Sequence, residues 1–155
     1  MAKCYQLVGI PAAGKSSWYT AQEWTDGCVY ASTDMFVEAE ATRQGKTYNE
    51  VFKDYMPTAV KLMAGVVVEA KRLDMDIIWD QTSTTIKSRT KKFNMLPDYE
   101  HIAVVFRTPD PLELAIRLKN RPGKDIPQYV VNSMIAGWEE PTKAEGFNEI
   151  WYTTS

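Results

Sequence analysis

The chain has 155 residues, 45% of them apolar and 25% charged, with a net charge of −2. That length suits one domain, 1–155, and that composition excludes a disordered tail, a collagen-like repeat and a coiled coil. No apolar run approaches the 18 residues of a membrane span, and Gln6 breaks the plan of a signal peptide, so a cytoplasmic monomer is the default expectation.

Lys3–Val8 is a short apolar run and reads as the first strand. Gly9-Ile10-Pro11-Ala12-Ala13-Gly14-Lys15-Ser16 follows it and fits G-x-x-x-x-G-K-[ST]. In such a loop the glycines let the backbone bend around a polyphosphate and turn its N–H groups inward. The helix opening at Lys15 adds the partial positive charge of its N-terminus. Lys15 reaches the β- and γ-phosphates, and the Ser16 hydroxyl can ligate Mg²⁺. Ala12, Ala13, Gly14, Lys15, Ser16 and Ser17 are therefore the expected phosphate-binding loop of a nucleotide site. The first helix spans Lys15–Trp24 and stops at the Asp26-Gly27 turn; Trp18, Tyr19 and Trp24 on it are assigned to the core.

Cys28–Ser32 reads as the second strand. With no secretion signal, Cys4 and Cys28 read as free, reduced thiols. Asp34 lies two residues past that strand. It either caps the next helix, Asp34–Arg43, or faces the γ-phosphate and accepts the proton of an attacking hydroxyl. Beside a phosphate-binding loop the second role is preferred, and the two can coexist. Tyr48–Leu73 reads as a long helix that Pro57 divides near its middle.

The third strand, Asp76–Trp79, runs into Asp80. Apolar residues leading into an Asp resemble the second NTPase motif, whose carboxylate holds Mg²⁺ through water. Thr82–Thr85 can cap the next helix, Thr85–Leu96, or contact substrate; capping is the preferred use. That helix carries the densest basic cluster, Lys87, Arg89, Lys91 and Lys92, either a solvated face or a contact for acceptor phosphates.

Ile102–Phe106 is the fourth strand, with His101, the sole histidine, in a structural role. Pro111–Asn120 opens with Asp110 as cap, Pro111 at the first helical position and Glu113 three residues after the cap. Arg117 and Arg121 lie four apart at its end, where they either cap the helix or serve a ligand. The polar stretch 121–127 reads as a small lid, from which an arginine can close on the β/γ-phosphates. Pro127–Trp138 is the last helix and Ile150–Tyr152 a fifth strand; Met56, Met63 and Met134 are core fillers. Strand–helix alternation of this kind predicts an α/β domain with a parallel sheet and a ligand outside the carboxyl ends of its strands. There is no Cys/His metal cluster, no Ser-His-Asp set and no N-K-x-D guanine-reading segment.

Gly9–Ser17 with Trp18, then Asp34, then Asp80-Gln81-Thr82 with Arg89, then Arg117 and Arg121 with the lid: this ordered set resembles the kinase domain of phage polynucleotide kinase, from Cys4 to about Trp138. The resemblance implies a P-loop kinase-type three-layer sandwich. Its five-stranded parallel sheet would have the order 2-3-1-4-5, with an arginine-bearing lid. It implies transfer of the ATP γ-phosphate to a nucleic-acid hydroxyl, usually a 5′-OH end. Lys15 and Ser16 match the ATP·Mg²⁺ loop, Asp34 the general base and Arg121 the lid arginine; Arg117 lies one helical turn earlier and is placed with the nucleotide, and Asp80 with Ser16 at the metal.

Two departures stand out. The family commonly has an arginine three residues after the base, where this chain has Val37; and no D-x-D-G-T phosphatase motif occurs, so that activity is expected to be absent. The loss of a cation beside the acceptor phosphate points to a second acceptor besides the 5′-OH: a hydroxyl on a modified base within DNA. A small-molecule kinase (nucleoside, sugar or antibiotic) and an ATPase or nucleotide-binding module are the competing classes. Such a phage-type enzyme would work in the host cytoplasm.

Overall fold

The structure is a computed structural model and describes residues 1–153. Five strands, β1 (Lys3–Val8), β2 (Val29–Ala31), β3 (Ile77–Asp80), β4 (Glu100–Phe106) and β5 (Glu149–Thr153), form one parallel sheet in the order β2-β3-β1-β4-β5. This is the order the resemblance implied. Successive residues of a strand point to opposite faces, so a sheet covered on both sides reads as unbroken apolar runs. Cys4, Ile77, Trp79 and Ala31 pack on one face beneath Met63, Val67 and Ala70. Tyr5, Leu7, Ile78, Val104 and Phe106 pack on the other beneath Leu114, Val131, Trp18 and Tyr19.

The helices are α1 (Lys15–Ala21), α2 (Thr33–Gln44), α3 (Tyr48–Arg72), α4 (Ile86–Met95), α5 (Pro111–Lys119) and α6 (Gln128–Ala136). Helices α1, α5 and α6 cover one face of the sheet and α3 and α4 the other, which makes three layers. Helix α2 lies against α3 through Val37, Ala41, Val51 and Ala59. Asp110 caps α5 through the Glu113 N–H, and Thr85 and Ser88 form a capping box on α4, as the capping signals predicted. No helix among the described residues is long and apolar enough to cross a membrane. Cys4 and Cys28 are both free, Cys4 being buried.

Three expectations are corrected. Helix α1 ends at Ala21, because Gln22 is extended and Glu23–Gly27 form a 3-10 turn. That turn lifts Trp24 to 44% exposure, against Tyr5, Trp18 and Trp151, instead of placing it in the core. Pro57 does not divide α3, which runs unbroken. The carbonyl that Pro57 leaves without a helical partner belongs to Lys53, an exposed residue, so water can take its place, while Ala59, Met63 and Val67 continue the buried face.

The basic cluster on α4 also separates. Lys87 and Lys91 are exposed, but Arg89 is fully buried, paired with Glu145 (Nε–Oε1 2.7 Å) and donating to the Ser83 carbonyl (2.9 Å). Lys92 is buried with its Nζ 5.3 Å from the Trp79 ring centre, and burial lowers its pKa to about 8. Arg89 thus fastens the loop after β3 to the segment before β5, and neither Arg89 nor Lys92 is available to an acceptor.

His101 is structural, as expected. Its Nε2 lies 2.9 Å from the Leu96 carbonyl and its Nδ1 3.2 Å from Gln6 Nε2. The carbonyl needs a donor and the amide nitrogen is one, which assigns a neutral ring protonated on Nε2. Burial holds its pKa below the ordinary 6.5, opposed by the Leu96 hydrogen bond. The unfolded chain therefore takes up this proton first as pH falls, and the folded state loses stability from about pH 6.5 downward. Urea midpoints should fall more steeply on acidification in the wild type than in His101→Gln; identical slopes would contradict this.

Candidate active site

The parallel register brings three strand ends together. Leu7 of β1 pairs with Asp80 of β3, and Ala31 of β2 with Trp79. The loop after β1, Asp80, and Asp34 at the start of α2 therefore open on one cleft of about 1720 Å³.

The loop is anchored by the Gly9 N–H, which donates to the Thr82 carbonyl (2.9 Å). Gly14 has φ +99 and Ala12 φ +67. The first is the left-handed region that glycine adopts freely, and the second costs an alanine about 1–2 kcal/mol. Arg117 holds the strained residue: its Nη1 donates to the Ala12 carbonyl (3.2 Å) while Glu113 accepts from its Nε (2.9 Å). Lys15 is folded over its own loop, with Nζ donating to the Gly9 and Ile10 carbonyls at 2.9 Å each. Burial pushes its pKa down to about 8, against the upward pull of Asp80 and then Asp34, while Arg121 adds to the depression.

Asp80 ends β3 and accepts from Ser16 Oγ (3.4 Å) and from the Tyr30 hydroxyl. Burial raises its pKa, opposed chiefly by the Tyr30 bond and by Lys15. No group of three or more His, Cys, Asp or Glu side chains able to hold a metal exists among the described residues. One hydroxyl and one carboxylate are an oxygen donor set that fits Mg²⁺, an ion that keeps water and substrate phosphate as its remaining ligands.

Asp34 is the second residue of α2, and the cap is Ser32. The capping role is therefore excluded. Instead Asp34 Oδ1 accepts from the Tyr48 hydroxyl at 2.5 Å, and Asp34 lines the cleft. Arg121, at the start of the lid, lines it too, and its Nη1 is buried without a hydrogen-bond partner. A buried guanidinium nitrogen without a partner is costly unless an acceptor meets it, so this part of the cleft fits a polyphosphate.

The lid, 121–127, is docked on the start of α3. Asn49 donates to the Asp125 carbonyl and accepts its N–H, both at 2.8 Å. Lys124 pairs with Glu38 and lies 4.7 Å from the centre of the Tyr48 ring. Gly123 has φ +74, and a Cβ there would stand 3.0 Å from Thr47 Cβ, so a side chain would strain the turn and crowd Thr47.

Ala12, Gly14, Lys15, Ser16, Ser17, Asp34, Asp80, Arg117 and Arg121 all line this one cleft. Ala13 is the exception: its methyl is buried in the apolar cluster beneath the loop. Val37 is fully buried against α3 and faces away from the cleft. Tyr30, Tyr48, Asn49, Glu38 and Lys124 carried no motif that would have found them.

The family described as an AAA domain (AAA_33) matches residues 6–141. The chain belongs to this family. A bifunctional polynucleotide phosphatase/kinase of Schizosaccharomyces pombe is 25% identical over 149 residues, covering 93% of this chain and 31% of that protein. The chain thus spans less than a third of that relative's length. A solved structure from the PezAT chromosomal toxin–antitoxin system of Streptococcus pneumoniae aligns with TM-score 0.71 at 17% identity, covering 98% of this chain and 66% of that one. Shikimate kinase from Acinetobacter baumannii aligns with TM-score 0.57 at 18% identity, covering 100% and 85%. The AAA-domain chain has the P-loop kinase fold, and its resemblance to polynucleotide kinases, read from the residues, stands.

Proposed function

We propose that this AAA-domain chain is an ATP-dependent kinase that moves the γ-phosphate to a hydroxyl on a nucleic acid, either a 5′-OH end or a hydroxymethylated base within DNA. The observation that carries this reading is the convergence on one cleft of a loop lysine, a lid arginine with a partnerless Nη1 and a carboxylate outside the phosphate loop: Lys15, Arg121 and Asp34. A switch that only binds nucleotide leaves that Asp and Arg pairing without a task.

In this reading Asp34 accepts the proton of the acceptor hydroxyl. The acceptor oxygen bonds to the γ-phosphorus as the bond to the β–γ bridging oxygen breaks, and ADP leaves. Lys15 and Arg121 offset the charge on the moving phosphoryl oxygens. Ser16 and Asp80 would hold Mg²⁺, which supplies charge neutralisation on the phosphates. Arg117 supports the loop from the lid side.

The cleft has aromatic walls. Tyr48 and Phe52 have ring centres 5.5 Å apart, and Tyr19 and Tyr30 stack at 4.2 Å. Such walls suit a planar base better than a phosphodiester end, and Val37 offers the end no cation. A base inside a duplex would have to be flipped out to reach them. The burial of Arg89 and Lys92 favours a second reading, a small-molecule kinase for a nucleoside, sugar or antibiotic, because the basic run no longer argues for a polyanion.

Transfer of labelled γ-phosphate in the presence of Mg²⁺ separates these. The acceptors are 5′-OH DNA and RNA oligonucleotides, duplex DNA with a hydroxymethylated pyrimidine, and a nucleoside and sugar panel. Label on nucleic acid, with apparent affinity falling steeply as salt rises, is the expected result. Label on a small molecule alone transfers the proposal to the second reading, and free phosphate with no labelled acceptor refutes both.

A further inference from the structure

The general base is held by a residue that no motif marks. Among the described residues, Tyr48 is the side-chain hydrogen-bond partner of Asp34, and its phenol donates to Oδ1 at 2.5 Å. Oδ1 thereby carries a protein hydrogen bond, and Oδ2 is the oxygen without a side-chain donor among the described residues. Burial, and then the bond to Asp34, push the Tyr48 ionisation far above its ordinary value, so the phenol remains a donor at any working pH.

Three features hold the Tyr48 ring. Thr47 and Glu50 form a capping box that fixes the first turn of α3, with Tyr48 as its first residue. Phe52, one turn on, lies at 5.5 Å. Lys124 of the lid places its ammonium over the ring at 4.7 Å and pairs with Glu38, four residues after Asp34 on α2. The lid, α2 and α3 thus meet at one phenol.

We propose that Tyr48 is the positioning residue for Asp34: its hydroxyl fixes which carboxylate oxygen meets the acceptor, and the docked lid, through Lys124, holds the phenol in place. This rests on the kinase reading above. It makes proton removal depend on a closed lid, so that the base is aligned when Arg121 is also in position.

The test is Tyr48→Phe, which keeps the ring, its contact with Phe52 and the ammonium above it, and removes only the hydroxyl. Hydrogen bonds to charged groups are strong enough that kcat for transfer should fall by about 10- to 100-fold. The KM for ATP and the KM for the acceptor should stay close to wild type, while the melting temperature falls by a few degrees with the lost hydrogen bond. Lys124→Met, which removes the charge and keeps the stem, should lower kcat less. Added to Tyr48→Phe it should have little further effect, because both act through the same phenol.

A kcat for Tyr48→Phe within twofold of wild type overturns the proposal. So does a loss carried wholly by the acceptor KM, which would make the Tyr48 hydroxyl a substrate contact, and so do fully multiplicative losses in the double variant. If Tyr48→Phe folds poorly, the Lys124→Met kcat decides alone: unchanged, it overturns the role of the lid and the phenol it holds. A wild type that transfers phosphate to no acceptor refutes the kinase reading itself, an outcome distinct from an active wild type with an equally active Tyr48→Phe.

Discussion

Asp34→Asn is expected to abolish transfer to the acceptor while leaving ATP binding nearly intact. The amide keeps the shape of the side chain and can still accept from the Tyr48 hydroxyl, so the start of α2 should be undisturbed. It cannot take up the proton of an attacking hydroxyl. A positioned general base contributes on the order of 10² to 10⁴-fold, and the loss should fall in that range. Because Asp34 lies past the end of β2 and outside the phosphate loop, the ATP dissociation constant should change by no more than a few-fold. Single-turnover transfer and nucleotide-binding titrations on the same preparation read the two quantities. Full transfer activity in Asp34→Asn would remove Asp34 as the base, and the kinase mechanism would then need another acceptor for the proton.

The second large effect belongs to Arg121. Its Nη1 is buried without a partner, a state that costs about 1–3 kcal/mol or more for a charged donor. Folding tolerates such a cost when a ligand later supplies the missing acceptor. Arg121→Ala should therefore lower kcat on the order of 10³-fold, as loss of an arginine aimed at a transferring phosphoryl group does. The same substitution should leave the melting temperature of the unliganded protein unchanged or raise it, because it removes a buried donor atom that no group satisfies. Arg121→Lys should recover little activity, since an ammonium lacks the planar fork of a guanidinium. The opposite pattern, lost stability with retained transfer, would make Arg121 a structural cation and would sink its role in the cleft. Arg117 gives the contrast: bonded to Glu113 and to the Ala12 carbonyl, it already has partners and supports the loop.

Much of the fold was legible because its signals are local. The glycine-rich loop lies within eight consecutive residues, the strands are contiguous apolar runs, and the caps at Thr85 and Asp110 act over three residues. A local rule fails where it meets a tertiary exception. Pro57 signals a break, yet the carbonyl it orphans is on an exposed turn of α3. Asp34 was open to a capping role, yet Ser32 occupies that position.

The amino-acid sequence by itself determined the α/β class, the phosphate-binding loop at the end of β1 and the set of charged residues at the strand ends, because each depends on neighbours along the chain. Only the tertiary structure decided which of those charges are free to act. Arg89 and Arg121 are both arginines near helix ends in a basic context, and nothing local separates them. Glu145, 56 residues away, buries and neutralises the first, whereas Nη1 of the second meets no hydrogen-bond partner among the described residues. Likewise Tyr48 and Asp34, and Tyr30 and Asp80, meet only because parallel strand register and the α2–α3 packing carry them to one cleft. A carboxylate becomes a base or a metal ligand through its environment, and that environment is assembled from residues that the chain holds far apart.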